Sequence, residues 1–107
     1  RRRQRQMCIR DRYAPYTAHY WRALGAVNQQ LKDYQEAIAA YDMAIANDEF
    51  DVVSYVYRGE SQLLARNRDA GLHDLQTVIQ LGADAPQFGA WVQRAELLLK
   101  LNQQVPR

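Results

Sequence analysis

The sequence predicts an all-α fold, a right-handed α-solenoid fragment of two helical hairpins and a C-terminal capping helix. Three observations predict it. An aromatic residue followed four positions later by a small one recurs as Trp21/Gly25, Tyr55/Gly59 and Trp91/Ala95, at intervals of 34 and 36 residues. Between these segments lie two others with apolar or small residues in a 3-4 helical stripe. Acidic residues cluster where the stripes break, as solvated turns and helix N-termini do.

The first hairpin is expected over about 17–48. Its A helix contains "YWRALGAVNQQL" from Tyr20, and its B helix contains "DYQEAIAAYDMAIAND" (33–48). The B stripe is Tyr34, Ala37, Ile38, Tyr41, Ala44 and Ile45. The second hairpin is expected over about 51–82. Here "SYVYRGESQLLA" from Ser54 repeats the A pattern, and "RDAGLHDLQTVIQLG" (68–82) repeats the B pattern with Gly71, Leu72, Leu75, Val78 and Ile79. Asp69 lies near the start of that helix; Gly82, with Pro86 beyond it, marks its end. A capping helix over about 87–102 holds "AWVQRAELLLKL" from Ala90, and the two extra residues of the longer interval fall in the loop "LGADAPQ". Arg58-Gly59-Glu60 and Arg94-Ala95-Glu96 are a further repeat between the last two A-type segments.

The residue types suit this arrangement. Small Gly25 and Ala37 allow the two helices of a hairpin to approach closely, while large Trp21 and Tyr41 fill the space between neighbouring hairpins. One hairpin cannot bury its apolar face alone, so the units stack and share a core. Trp91, Leu98 and Leu99 of the last helix would cover the final hairpin.

Composition bounds the function. The 107 residues suit one domain, and 48% hydrophobic with 24% charged residues is an ordinary globular profile. No apolar run approaches the ~20 residues of a membrane-spanning helix. A single cysteine, Cys8, permits no internal disulfide, and no Cys/His cluster has metal spacing. The net charge of +2 hides an asymmetry: residues 1–12 hold six Arg and one Asp, and the remainder holds eight basic and eleven acidic residues, a net charge of −3. Any electrostatic case for nucleic acid therefore rests on the opening stretch. Its residues 4–11, "QRQMCIRD", resemble translated sequencing-adapter DNA at all eight codons. That resemblance implies that 1–12 is a non-native, disordered extension, with the natural chain entering near Tyr13 and its authentic N-terminus lying upstream. No nucleic-acid partner is expected.

A 34-residue period of two helices is the tetratricopeptide signature, W-x2-L-G-x2-Y…A-x3-F…P. The first repeat resembles it in Trp21, Leu24 and Gly25, and then in Ala37, Tyr41 and Ala44. Asn28 departs from the usual aromatic, Glu49 stands where proline is usual, and Arg58 replaces the leucine of the second repeat. Within the tetratricopeptide proteins, "PYTAHYWRALGAV" (15–27) and "YVYRGESQLL" (55–64) are similar to the second and third repeats of the class II type III secretion chaperones. Tyr16, Tyr20, Leu24, Gly25, Ala26, Glu60, Leu63 and Leu64 carry that resemblance; Tyr57, Arg58, Gly59 and Ser61 depart from it.

The resemblance covers roughly 15–102 and implies a small bacterial cytoplasmic chaperone. Such proteins keep hydrophobic translocator subunits soluble by binding an extended Pro/Leu-containing segment in a concave groove, and tend to dimerise through N-terminal elements. The alternative is a generic tetratricopeptide adaptor that scaffolds other proteins. With A-type helices lining the groove, the expected contact residues are His19, Arg22, Ala26, Gln29 and Gln30, then Val53, Val56, Tyr57, Glu60, Leu63 and Leu64. This set mixes apolar and hydrogen-bonding groups, and an extended peptide needs both. Arg58 has two readings: a stem packed on the core with its head paired to Asp42, Glu60 or another acid, or an anchor for the client backbone.

Catalysis is not expected. His19 and His73 fall on different helix types, and no nucleophile, base and orienting group converge. There is no Gly-rich phosphate loop. No cofactor, metal or membrane partner is expected.

Overall fold

The same three-residue turn closes both hairpins. In the computed structural model, which describes residues 15–104, α1 spans Pro15–Gln30, α2 Tyr34–Asn47, α3 Val52–Leu64, α4 Arg68–Gly82 and α5 Gly89–Gln104. Every regular element among the described residues is helical. The opening twelve residues and their expected disorder lie outside the described stretch.

Leu31-Lys32-Asp33 follows α1 and Ala65-Arg66-Asn67 follows α3. Lys32 (φ 63°) and Arg66 (φ 71°) are left-handed. The Lys32 N–H donates to Gln29 C=O at 3.0 Å and the Asp33 N–H to Asn28 C=O at 2.8 Å. Thirty-four residues later, Arg66 donates to Leu63 at 3.1 Å and Asn67 to Gln62 at 2.7 Å. This is the Schellman pattern, which satisfies the last carbonyls of one helix. Its final residue, Asp33 or Asn67, then serves as the N-cap position of the next helix.

Two close approaches hold the hairpins shut. A Cβ on Gly25 would sit 2.5–2.8 Å from the Tyr41 ring, so the missing side chain is the space that the ring fills. Gly59 of α3 and Gly71 of α4 face each other: a Cβ on Gly71 would lie 2.9 Å from the Gly59 carbonyl oxygen, and one on Gly59 3.1 Å from that of Gly71. Each helix packs chiefly on its neighbours in sequence, and α3 also meets α1 and α5. The main core cluster lies among α3, α4 and α5, where Val52, Val56, Leu75, Val78, Ala95 and Leu99 are buried. Ala37, Ala40, Tyr41 and Ala44 form the buried face of α2.

The fourth helix ends at Gly82 as expected, but without a left-handed cap. Gly82 is not a left-handed terminator; it is buried within α4, and Ala83 after it keeps helical angles (φ −57°, ψ −41°). A Cβ on Gly82 would collide with the Val92 side chain, so close packing against α5 accounts for this glycine. Pro86 opens a 3-10 turn, Pro86–Phe88, and α5 begins only at Gly89. Proline fixes φ and lacks an N–H, which suits a first helical turn.

Candidate functional site

α3 presents two adjacent stripes. Val52, Val56, Gly59 and Leu63 fall at helical spacing and face α4. Tyr57, Glu60 and Leu64 form the next stripe and open onto a trough between α1, α3 and α5. The trough has three sections. A polar one of about 180 Å³ is lined by Ala26, Gln29 and Gln30 of α1, Tyr41, Tyr57 and Glu60, and Arg94 of α5. A second, of about 560 Å³, is bounded by Ala90, Gln93, Leu97 and Leu98. A third, of about 430 Å³, is bounded by Leu63, Leu64, Leu98 and Asn102. Glu60 and Arg94 line all three.

One hydrogen-bonded chain ties four helices together along this floor. Tyr41 Oη donates to Gln29 Oε1 at 2.8 Å, and Gln29 Nε2 donates to Glu60 Oε1 at 3.3 Å. Arg94 Nε donates to Glu60 Oε2 at 2.5 Å. The Arg94 guanidinium lies 5.8 Å from the centroid of the Tyr57 ring, a cation–π contact. Tyr57 meets Trp91 edge-on at 5.6 Å and Tyr41 at a tilt at 5.9 Å. Burial, reinforced by Tyr57 and Glu60, pushes the Tyr41 phenol well above the ordinary tyrosine range. The hydrogen bond to Glu60 holds the Arg94 guanidinium still more firmly protonated. The arrangement sets fixed polar groups beside apolar side chains along one trough.

Seven of the sequence-predicted contact residues line the trough: Ala26, Gln29, Gln30, Tyr57, Glu60, Leu63 and Leu64. Four are elsewhere. Val56 is completely buried in the core, because its stripe faces α4. Val53 is half-buried at the first turn of α3, before the trough opens. Arg22 is committed to Asp51, the N-cap of α3, with Nη1 2.6 Å from Oδ1. His19 is exposed and accepts at Nδ1 from Arg22 Nη2. Asp51 also accepts from the Ser54 hydroxyl at 2.7 Å, so this cluster joins α1 to the start of α3.

Arg58 takes the packed, paired reading. Its Nε and Nη2 reach the two oxygens of Asp74 at 2.7 and 2.8 Å, and its Nη1 reaches Asp42 at 2.7 Å. It thus joins α2, α3 and α4 rather than the trough.

Sequence reasoning missed the contribution of α5. Arg94, Leu97 and Leu98 belong to the trough, although the last helix was expected to act as a cover for the core. The usable signal was the pair of opposite charges Glu60 and Arg94, carried by the aligned segments Arg58-Gly59-Glu60 and Arg94-Ala95-Glu96. The two histidines sit on α1 and α4, both exposed. Among the described residues no helix is long and apolar enough to cross a membrane, and no three His, Cys, Asp or Glu side chains group as metal ligands. No protein-family model, curated protein or solved structure matches the chain.

Proposed function

We propose that the chain is a non-enzymatic peptide-binding module of tetratricopeptide type, two hairpins and a capping helix winding as a right-handed solenoid. On this reading α1, α3 and α5 are A-type helices, and their trough is the concave face. The observation that carries the proposal is the lining of that trough, which pairs apolar Leu63, Leu64, Leu97 and Leu98 with the polar groups of Gln29, Gln30, Tyr57 and Arg94. An extended segment loses water from both its side chains and its main chain on binding, and only a mixed surface compensates for both losses.

The resemblance of 15–27 and 55–64 to class II type III secretion chaperones extends the proposal. The chain then acts in the bacterial cytoplasm, holding a hydrophobic translocator through an extended stretch until export. Co-expression with an apolar translocator tests this: the chain keeps the translocator soluble, and Ala26→Trp or Tyr57→Ala releases it. Aggregation of the translocator despite the intact chain overturns the chaperone role. Peptide binding without that protection leaves the adaptor reading.

A further inference from the structure

We infer that Arg94 is the main-chain anchor of the trough: its terminal nitrogens hold a backbone carbonyl of an extended, uncharged apolar segment, with one side chain in each apolar section. The inference rests on the peptide-binding reading and names the ligand chemistry that the site selects.

Two side chains of α5, Arg94 and Leu98, border more than one section, and Arg94 borders all three. Its side chain is 49% exposed, and its Nε is taken by Glu60. Nη1 and Nη2 have no hydrogen-bond partner among the described residues. The hydrogen bond to Glu60 and the ring of Tyr57, its centroid 5.8 Å from the guanidinium carbon, hold the group beside the trough. A planar fork held in place loses little freedom on gripping an acceptor.

Charge decides which acceptor. The charged side chains lining the trough are Glu60 and Arg94, and they neutralise one another. Glu60 is 12% exposed and both its oxygens are already engaged, so its negative charge is fixed beside the fork. A ligand carboxylate placed on Nη1 and Nη2 would meet that charge at close range and leave the site net negative. A carbonyl oxygen accepts the same hydrogen bonds without adding charge. Both apolar sections border this point, one lined by Ala90 and Leu97, the other by Leu63 and Leu64, with Leu98 shared between them.

Fluorescence anisotropy with labelled short Leu/Pro peptides tests the assignment: one peptide uncharged, one with a central Asp, one with a central Lys. The intact chain binds the uncharged peptide more tightly than the Asp peptide. Arg94→Met weakens that binding by roughly tenfold or more, as losing a charge-assisted hydrogen bond does. Glu60→Gln/Arg94→Met, which leaves no unpaired carboxylate, shows the same loss with an unchanged circular-dichroism melt. Arg94→Lys, which keeps a cation beside Glu60 but not the fork, also loses affinity. Equal affinity of the intact chain and Arg94→Met overturns the Arg94 assignment and leaves the peptide-binding reading intact. Tighter binding of the Asp peptide overturns the choice of a carbonyl. No binding of any peptide to the intact chain overturns the underlying reading and this inference with it.

Discussion

Arg58 grips Asp74 with two parallel hydrogen bonds, Nε to Oδ2 at 2.7 Å and Nη2 to Oδ1 at 2.8 Å. The pair lies between the helices of the second hairpin, and Asp74 is buried at 3% exposure. The Asp74 hydrogen bond is the main reason that the Arg58 guanidinium is held protonated beyond its already high ordinary value, against the opposing effect of its own burial. Asp42 on α2 takes the remaining Nη1, so the same guanidinium also joins the first hairpin to the second.

Removing Asp74 leaves the part-buried Arg58 guanidinium with Asp42 as its remaining partner. Asp74→Ala should destabilise the fold by about 3 kcal/mol, the low end for buried pairs, because Arg58 retains some water and keeps Asp42. Replacing both partners by leucine should restore most of the loss, since an apolar pair carries no desolvation cost. Urea unfolding of Asp74→Ala and of Arg58→Leu/Asp74→Leu measures both. A double variant as weak as the single one would contradict this account.

Gly25 and Tyr41 make a lock of a different kind. The Tyr41 ring is completely buried and sits where a Cβ of residue 25 would be. It is also held at its hydroxyl by Gln29. It cannot swing away cheaply, so Gly25→Ala should cost about 2 kcal/mol by overpacking. Tyr41→Leu in the same background removes the ring atoms that collide, and the two substitutions should cost less together than the sum of their separate effects. Thermal melts of the four chains give that coupling directly.

The helices were legible because their burial follows the sequence period. Tyr41 and Ala44, and likewise Leu75 and Val78, sit three residues apart on stripes that the structure buries. Gly25 and Ala37 marked the close helix approach of the first hairpin for the same reason. The trough was legible on α1 and α3, where position within the repeat gives direction. It failed at Val56 because one residue along a helix turns a side chain by about 100°, from the trough into the core. It failed at Arg94 because Arg58 stands at the matching position of the preceding repeat and turns to Asp74, whereas Arg94 turns to Glu60. Such choices depend on where the acids of neighbouring helices stand, which periodicity does not encode. The left-handed turns were equally hidden, since Lys32 and Arg66 carry no glycine signal.

Those two turns can be improved. An L-residue with a Cβ costs roughly 1 kcal/mol in the left-handed region, and glycine avoids most of that strain. Neither side chain makes a hydrogen bond or ion pair among the described residues, and both are exposed. Lys32→Gly and Arg66→Gly should therefore each stabilise the fold by several tenths to about 1 kcal/mol, raising the midpoint of thermal unfolding by a few degrees. The turns are separate, so the gains should add. Calorimetry of the two single variants and the double variant decides it; a lowered midpoint in either single variant would refute the strain argument.

Tyr41 also ties stability to alkaline pH. Burial comes first among the causes that raise its pKa, followed by repulsion from Tyr57 and Glu60, so the folded chain keeps this proton where an unfolded chain releases it. An unfolded tyrosine ionises near pH ~10. Above that value the folded state binds more protons than the unfolded state, and stability must fall as pH rises. Below it the contribution is fully present and flat. Tyr41→Phe removes the titrating group together with its hydrogen bond to Gln29. The variant should lose about 1 kcal/mol near neutral pH. Its stability should then decline less steeply than that of the intact chain as pH is taken above 10. Urea midpoints measured from pH 8 to 11 compare the two slopes, and parallel curves would mean that the phenol does not keep its proton in the fold.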